Sequence, residues 1–296
     1  MSARAPEEVG LTASHGMTVR EGAELSLVND GQLSLFFIGC GSAFSKRLYQ
    51  NNLLIIKGRD HVLIDCGTRT PEALHELGMS VTDIETFLIT HSHADHVGGL
   101  EEVMLLGRYV VRRKPTVIIT SRYQKLLWNH SLRGGCAPNE EHDGRFLQFE
   151  DFWNIVRPKR IGGTERAMYS VRVGGIKLDL FRTKHFPEQS DTWRDSTFSV
   201  GAVIDDKVLF TGDTQYDPEL IDEMEARYNF EYIFHDVQFF TGGVHASLEE
   251  ISHLPAASKE KTYLMHYSDS YQEYEGQVAE AGFAGFVRQW TYYDFP

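Results

Sequence analysis

The chain has 296 residues, of which 42% are hydrophobic and 24% charged, and its formal net charge is −13. These proportions are typical of a globular protein with a substantial core, and the acidic balance disfavours a broad nucleic-acid-binding face, which needs clustered cations. No apolar run is long enough to span a membrane, and the first residues lack the pattern of a signal peptide, so we expect a cytoplasmic protein.

Predicted strands and helices alternate along most of the chain. Residues 1–32 are polar and glycine-containing, so we expect an irregular N-terminal arm. From residue 33, β-rich runs alternate with segments of helical periodicity. Residues 134–166 have little periodicity and are interpreted as an insertion. The pattern predicts one α/β domain of two layered halves over residues 33–296.

One segment concentrates strong metal ligands directly after a short apolar strand. In "FLITHSHADHVGGL", His91, His93, Asp95 and His96 fall within six positions. Imidazole nitrogen and carboxylate oxygen are ligands that zinc accepts. On a tightly turned segment, His91 and His93 share one side, whereas Asp95 and His96 turn toward another. The spacing therefore indicates a loop that can serve two adjacent ions.

The motif "THSHADHVGGL" resembles the signature of the metallo-β-lactamase superfamily. The resemblance implies an α/β fold of the αββα four-layer sandwich type, with a metal site at the upper edge of two facing sheets. It also implies further ligands after later strands: His185 in "LFRTKHFP", Asp213 in "LFTGDT" and His266 in "YLMHYS". His130 and His142 compete with His185, but neither follows an apolar strand.

The same resemblance implies a dinuclear site, with two Zn²⁺ as the expected cofactors. Mn²⁺ or Fe would accept the same ligand types. A hydroxide held by the ions would be the nucleophile, and Asp95 could accept a proton from the attacking water. The implied arrangement has Asp213 between two ions, one bound by His91, His93 and His185 and the other by Asp95, His96 and His266. Because every ligand position is filled, a non-catalytic binding module is disfavoured.

Flanking residues resemble the ribonuclease Z-like phosphodiesterases within that superfamily. The resemblance rests on the glycine turn and "IDCG" strand end near the N-terminus, on "LMHYSDSY", and on "FFTGGVHASLEEI". Those enzymes carry an extra histidine in a Gly-His context, which implies that His245 protonates or neutralises the leaving oxygen. Lys46 and Arg47 are candidates for holding a substrate phosphate. His235 and Asp236 either orient ligands or are satisfied polar residues at a strand end.

The substrate is expected to be a small nucleotidic phosphodiester such as a cyclic nucleotide. The interval from His185 to Asp213 spans only about 28 positions and leaves no room for the long arm that grips tRNA in the relatives that process it. Two alternatives stay open: an RNA 3′-end endonuclease of the ribonuclease Z type, and a thioester or lactone hydrolase. Because many relatives are dimers, we also expect a homodimer. Aromatic residues of the insertion either stack on a base or pack in the core: Phe146, Phe149, Phe152 and Trp153.

Overall fold

The structure is a computed structural model that describes residues 10–12 and 17–295, with side chains from residue 17 onward. Its strands are, in chain order, β1 (Gly10–Thr12), β2 (Thr18–Glu21), β3 (Leu33–Gly39), β4 (Asn52–Lys57), β5 (Asp60–Ile64), β6 (Thr86–Leu88), β7 (Thr116–Ile118), β8 (Glu141–His142), β9 (Arg145–Phe146), β10 (Asn154–Val156), β11 (Lys159–Arg160), β12 (Met168–Val173), β13 (Ile176–Arg182), β14 (Val200–Ile204), β15 (Val208–Phe210), β16 (Tyr232–Asp236), β17 (Thr262–Met265), β18 (Gly285–Phe286) and β19 (Thr291–Phe295).

The helices are short, and none of those in the described part of the chain has the length and apolarity needed to cross a bilayer. They are α1 (Thr70–Glu76), α2 (Ala94–Val97), α3 (Leu100–Leu105), α4 (Ser121–Leu127), α5 (Arg133–Cys136), α6 (Phe149–Phe152), α7 (Pro218–Glu225), α8 (Leu248–Ile251), α9 (Ala256–Lys259) and α10 (Glu275–Ala281). Single turns of tighter or wider helix add Val81–Asp83, Leu106–Val110, Trp128–Leu132, Ala137–Asn139 and Tyr271–Tyr274.

Two large mixed sheets organise the described residues. The first has the strand order β1-β2-β19-β3-β4-β5-β6-β7-β10, and the second has the order β11-β12-β13-β14-β15-β16-β17-β18. Strands β5, β6, β7 and β10 run parallel to one another, as do β15, β16, β17 and β18. Because the carboxyl ends of parallel strands meet at one edge of a sheet, loops that follow them lie side by side.

The two sheets face each other across a shared core, with helices packed on the outside. Alternate residues of β3 take opposite sides, since successive strand side chains point to opposite faces. Leu35 and Phe37 join a buried cluster with Leu178 and Phe234 of the second sheet. Phe36 instead joins the cluster formed with the helices, which includes Leu74, Leu100 and Tyr123. The predicted αββα sandwich is therefore confirmed.

The described part of the N-terminal arm is irregular over residues 22–32 but forms strands over residues 10–12 and 18–21, which corrects the prediction for those two segments. Strand β1 pairs with β2, and β2 pairs with the C-terminal strand β19. Arg20 supports this edge because its guanidinium forms an ion pair with Asp294 at 2.6 Å. Residues 1–9 and 13–16 of the predicted arm lie outside the described residues. Strands β1 and β2 were not predicted because their segment is polar. Strands near the edge of a sheet form through backbone hydrogen bonds and need few apolar side chains.

The predicted insertion contains more regular structure than its sequence pattern indicated. Strands β8 and β9 form a separate two-stranded hairpin. Strand β10 adds to the edge of the first sheet and β11 to the edge of the second. Of the four aromatic residues considered for base stacking, Phe149, Phe152 and Trp153 are buried in the core, which corrects that alternative for them; only Phe146 is exposed.

We expect Phe234→Ala to lower the free energy of unfolding by about 3–5 kcal/mol, because the ring is fully buried between the sheets. Its ring centroid lies 5.2 Å from that of Phe37 and 5.4 Å from that of Tyr293, both in the first sheet. Guanidinium-induced unfolding measures the change. Phe240→Ala is the matched control, since 66% of that side chain is exposed, and we expect a change within about 0.5 kcal/mol. Equal losses in the two variants would contradict the predicted packing.

Candidate metal centre

The histidine-rich segment turns sharply at the end of β6. The backbone N–H groups of His96 and Val97 both donate to the carbonyl of His93, at 2.9 and 3.0 Å, which starts helix α2. The turn lets His91 and His93 join one donor group and Asp95 and His96 join another. It is packed closely against Gly67, where a Cβ atom would lie 2.1 Å from the carbonyl oxygen of Asp95. Only glycine fits there, so Gly67 holds the loop in place.

Three histidines and Asp213 form the first donor group. His91 follows β6, His185 follows β13, and Asp213 follows β15. His93 Nδ1 lies 2.9 Å from His91 Nε2 and 3.1 Å from His185 Nε2. Asp213 Oδ2 is 3.8 Å from each of those two Nε2 atoms. These four ligand atoms lie within 4.8 Å of one another.

The second donor group contains Asp95, His96, His266 and again Asp213, with all four residues buried. His96 Nε2 lies 3.0 Å from Asp213 Oδ2 and 3.2 Å from Asp95 Oδ2. His266 Nε2 lies 3.1 Å from Asp95 Oδ2 and 3.4 Å from Asp213 Oδ2. The structure thus brings together all seven residues predicted as ligands, and it places Asp213 in both groups. His130 and His142, the competitors of His185, are exposed elsewhere.

The orientation of the imidazoles fits a bound cation. His185 Nδ1 donates to the carbonyl of Val244 at 2.7 Å, and His96 Nδ1 donates to Asp65 at 2.7 Å. In the neutral tautomer, each Nε2 atom therefore presents a lone pair to the centre. Neither oxygen of Asp213 nor Nε2 of His96 has a hydrogen-bond partner among the described residues, although all three atoms are buried. A cation between these acceptors would satisfy them, so the residues present fit a dinuclear metal site.

The two donor groups differ in their electrostatics. Burial lowers the pKa of His185 to about 4 and that of His91 well below its ordinary value, which favours the neutral imidazole that binds metals. Burial also opposes charge on His96 and His266, but Asp213 and Asp95 outweigh it and raise both pKa values. The second group thus has the more negative surroundings, which favour a cation.

Asp65 is a supporting residue that sequence reasoning missed. Its carboxylate accepts hydrogen bonds from Nδ1 of His96 and from the backbone N–H and hydroxyl of Thr90, all between 2.7 and 2.8 Å. The Thr90 hydroxyl in turn accepts from His91 Nδ1 at 3.0 Å. One carboxylate therefore orients a histidine in each donor group. The available signal was its place at a strand end, in "LIDCG", although it is distant in sequence from the histidines it orients.

We expect Asp65→Asn to weaken metal binding by about 10–100-fold, because the amide cannot accept all three hydrogen bonds. Competition with a chromophoric chelator measures the affinity. Asp60→Asn is the matched control on the same β4–β5 hairpin, since the Asp60 carboxylate accepts from the Gly175 backbone N–H instead. Equal affinities of Asp65→Asn and the unsubstituted protein would refute this role.

His245 lies beside the donor groups and is held by a carboxylate. Its Nδ1 donates to Asp236 Oδ2 at 2.9 Å, and its ring centroid is 4.5 Å from that of His266. Asp236 Oδ2 also accepts from the Thr214 backbone N–H at 3.1 Å. Burial opposes charge on Asp236, but the neighbouring imidazoles of His235 and His245 outweigh it and lower the pKa of the carboxyl. Asp236 thus orients the imidazole of His245, whereas His235 donates to the Asp236 carbonyl at 2.7 Å.

Lys46 and Arg47 lie on an exposed loop that is fixed to the segment after His266. Their backbone N–H groups donate to the carboxylate of Asp269 at 2.7–3.2 Å. Nearby, the Ser42 backbone N–H donates to the carbonyl of Tyr267 at 2.9 Å. Their side chains are exposed, and a role in phosphate binding stays a prediction.

Sequence comparison identifies the family. A model of the family "Anti-Pycsar protein Apyc1" matches residues 33–293. An Anti-Pycsar protein Apyc1 from Bacillus phage vB_BsuM-Goe3 is 36% identical over 259 residues, which cover 84% of this chain and 95% of that protein. All residues of the two donor groups lie within the region that the family model matches, whereas strands β1 and β2 lie before it.

Solved structures show the same fold at low identity. The metallo-β-lactamase fold protein YhfI from Bacillus subtilis aligns with a TM-score of 0.64 at 14% identity, covering 89% of this chain and 100% of that one. The short form of human tRNase Z aligns with a TM-score of 0.51 at 13% identity, covering 80% and 93%. The fold implied by the resemblance is confirmed. The chain belongs to the Anti-Pycsar protein Apyc1 family and has the metallo-β-lactamase fold.

Proposed function

We propose that the chain is a dinuclear-metal phosphodiesterase that hydrolyses a small nucleotidic phosphodiester such as a cyclic nucleotide. The observation that carries the proposal is the pair of donor groups that share Asp213, with the oriented imidazole of His245 next to them. His91, His93 and His185 would hold one ion and Asp95, His96 and His266 the other. Zinc suits these nitrogen and oxygen ligands, and manganese or iron are the alternatives.

Divalent ions held here would act as Lewis acids and generate a nucleophile from water at neutral pH. The protein's own contribution is to neutralise the leaving group. Asp236 accepts from Nδ1 of His245, so the imidazolium form would carry its second proton on Nε2 and would transfer it to the leaving oxygen as the P–O bond breaks, which leaves the neutral imidazole. Thioester hydrolysis has less need of such a group, because a thiolate is a better leaving group than the alkoxide that leaves phosphorus.

A small substrate is favoured by the limited exposure of the centre and by the short interval between His185 and Asp213. His93 and His245 are the partly exposed members of the centre, whereas the other donors are buried. Substrate must therefore approach between them. The chain between His185 and Asp213 forms a loop and the β14–β15 hairpin, without the projecting arm that a long RNA would need. The strong negative net charge also opposes RNA binding.

A substrate panel with purified, metal-analysed protein tests the proposal. The panel contains bis-p-nitrophenyl phosphate, 3′,5′-cyclic nucleotides, a tRNA precursor, a lactone and a thioester. We expect hydrolysis of the first two. Cleavage of the tRNA precursor in preference to the cyclic nucleotides would favour the endonuclease alternative. Turnover of the lactone or thioester without diester cleavage would overturn the phosphodiesterase proposal.

A further inference from the structure

An exposed aromatic ring stands at the entrance to the metal centre. Phe186 follows the donor His185 directly, and 45% of its side chain is exposed. The centroid of its ring lies 5.7 Å from that of His93, with the two planes at 83°. Because His93 bounds the open side of the centre, Phe186 forms part of its rim. Single exposed phenylalanines are common on protein surfaces, but this one lies beside a donor residue of the centre.

The backbone that carries Phe186 is held in place on both sides. The side-chain amide of Gln215 donates to the carbonyls of His185 and Pro187. The Thr197 backbone N–H donates to the carbonyl of Phe186 itself at 2.6 Å. These hydrogen bonds hold the backbone of Phe186 in place, so little conformational entropy of that backbone is lost when an aromatic ligand packs on the ring.

The same rim is joined to the loop that carries His245. Glu188, two residues after Phe186, accepts a hydrogen bond from the Gly243 backbone N–H at 2.9 Å. The segments that carry Phe186 and the proposed proton donor, His245, are therefore joined by a hydrogen bond. A diester whose phosphorus lies at the metal centre would place its leaving oxygen toward His245 and its organic substituent toward this rim.

We propose that Phe186 is the stacking platform for the nucleobase of the substrate. This inference rests on the proposed function and names the part of the substrate that the protein recognises. Stacking reads the flat face of a base and not its hydrogen-bonding edge, so it tolerates purines and pyrimidines alike. The site would accept several nucleotide bases and would prefer the larger purine ring by a small factor.

Equilibrium binding of reaction products tests the inference without catalysis. Isothermal titration calorimetry compares adenosine 5′-monophosphate with ribose 5-phosphate, which has the same phosphate but no base. We expect the nucleotide to bind the metal-loaded protein at least about tenfold more tightly. Phe186→Ala should remove most of that preference while leaving ribose 5-phosphate unaffected, and Phe186→Tyr should restore it.

Phe146→Ala is the matched control, because 50% of that phenylalanine is exposed but it lies on the β8–β9 hairpin. Equal binding of the two ligands to the unsubstituted protein would overturn the inference, as would loss of the preference in Phe146→Ala and not in Phe186→Ala. A change of oligomeric state in Phe186→Ala with unchanged binding would assign the ring to a subunit interface and would also overturn it. Failure of the phosphodiesterase proposal shows separately, as absence of diester cleavage.

Discussion

Asp213→Asn is expected to reduce the bound metal from about two ions per chain to one or fewer and to lower diester hydrolysis on the order of 10³-fold. Asp213 Oδ2 belongs to both donor groups, so one substitution weakens both. Asparagine keeps the volume but removes the negative charge and replaces one oxygen with a donor. Plasma mass spectrometry of dialysed protein measures the metal content, and initial rates on bis-p-nitrophenyl phosphate measure the activity.

A second buried aspartate separates the loss of a ligand from the loss of a buried charge. Asp179 lies on β13, where its carboxylate accepts from the Tyr228 hydroxyl at 2.8 Å and pairs with Lys177 at 3.1 Å. We expect Asp179→Asn to lower the free energy of unfolding without lowering the metal content. Full metal content in Asp213→Asn would contradict the shared-ligand arrangement.

His245→Ala is expected to lower kcat by about 10²–10⁴-fold for cyclic nucleotides, with metal content unchanged. The physical reason is the leaving group. A ribose alkoxide is a poor leaving group and needs the proton from His245 Nε2, whereas p-nitrophenolate is stable without one. The loss should therefore be much smaller for bis-p-nitrophenyl phosphate. Parallel steady-state kinetics on the two substrates give both values.

His253→Ala is the control for His245→Ala. His253 is an exposed histidine beyond α8, and its Nδ1 atom lies 3.2 Å from the carbonyl of Glu250. We expect the rates of this variant to match those of the unsubstituted protein. If His245→Ala lost activity equally on both substrates, the imidazole would act on substrate binding or on the metals, and its role as proton donor would be wrong.

The candidate site was largely predictable because its residues stand at strand ends. His185, Asp213 and His266 each follow an apolar run, and the structure brings all three to the histidine-rich loop. That they bind metal stays a prediction. The role of Asp65 was not predicted, because its position at a strand end does not reveal which histidine its carboxylate orients. Its partner His96 comes within hydrogen-bonding distance only when β5 and β6 lie side by side.

Many of the strands could be predicted from the sequence, but their order in the two sheets could not. A short apolar run predicted strand β3 as a buried strand, because such a run followed by a glycine turn is typical of a strand covered on both faces. The C-terminal segment forms two strands, β18 and β19, which join different sheets. The local sequence does not specify that β19 pairs with β2 and β3, because backbone hydrogen bonds between distant segments depend little on residue type.

By itself, the sequence determined the types of ligand, their places at strand ends and the alternation that builds two sheets, because these depend on residues close together in the chain. Only the tertiary structure decided which aromatic residues are buried and which stand at the entrance. Phe149 and Phe152 lie in the core, whereas Phe186 lies beside His93. Exposure and the contacts of the site depend on segments far apart in the chain, which meet only when the two sheets pack.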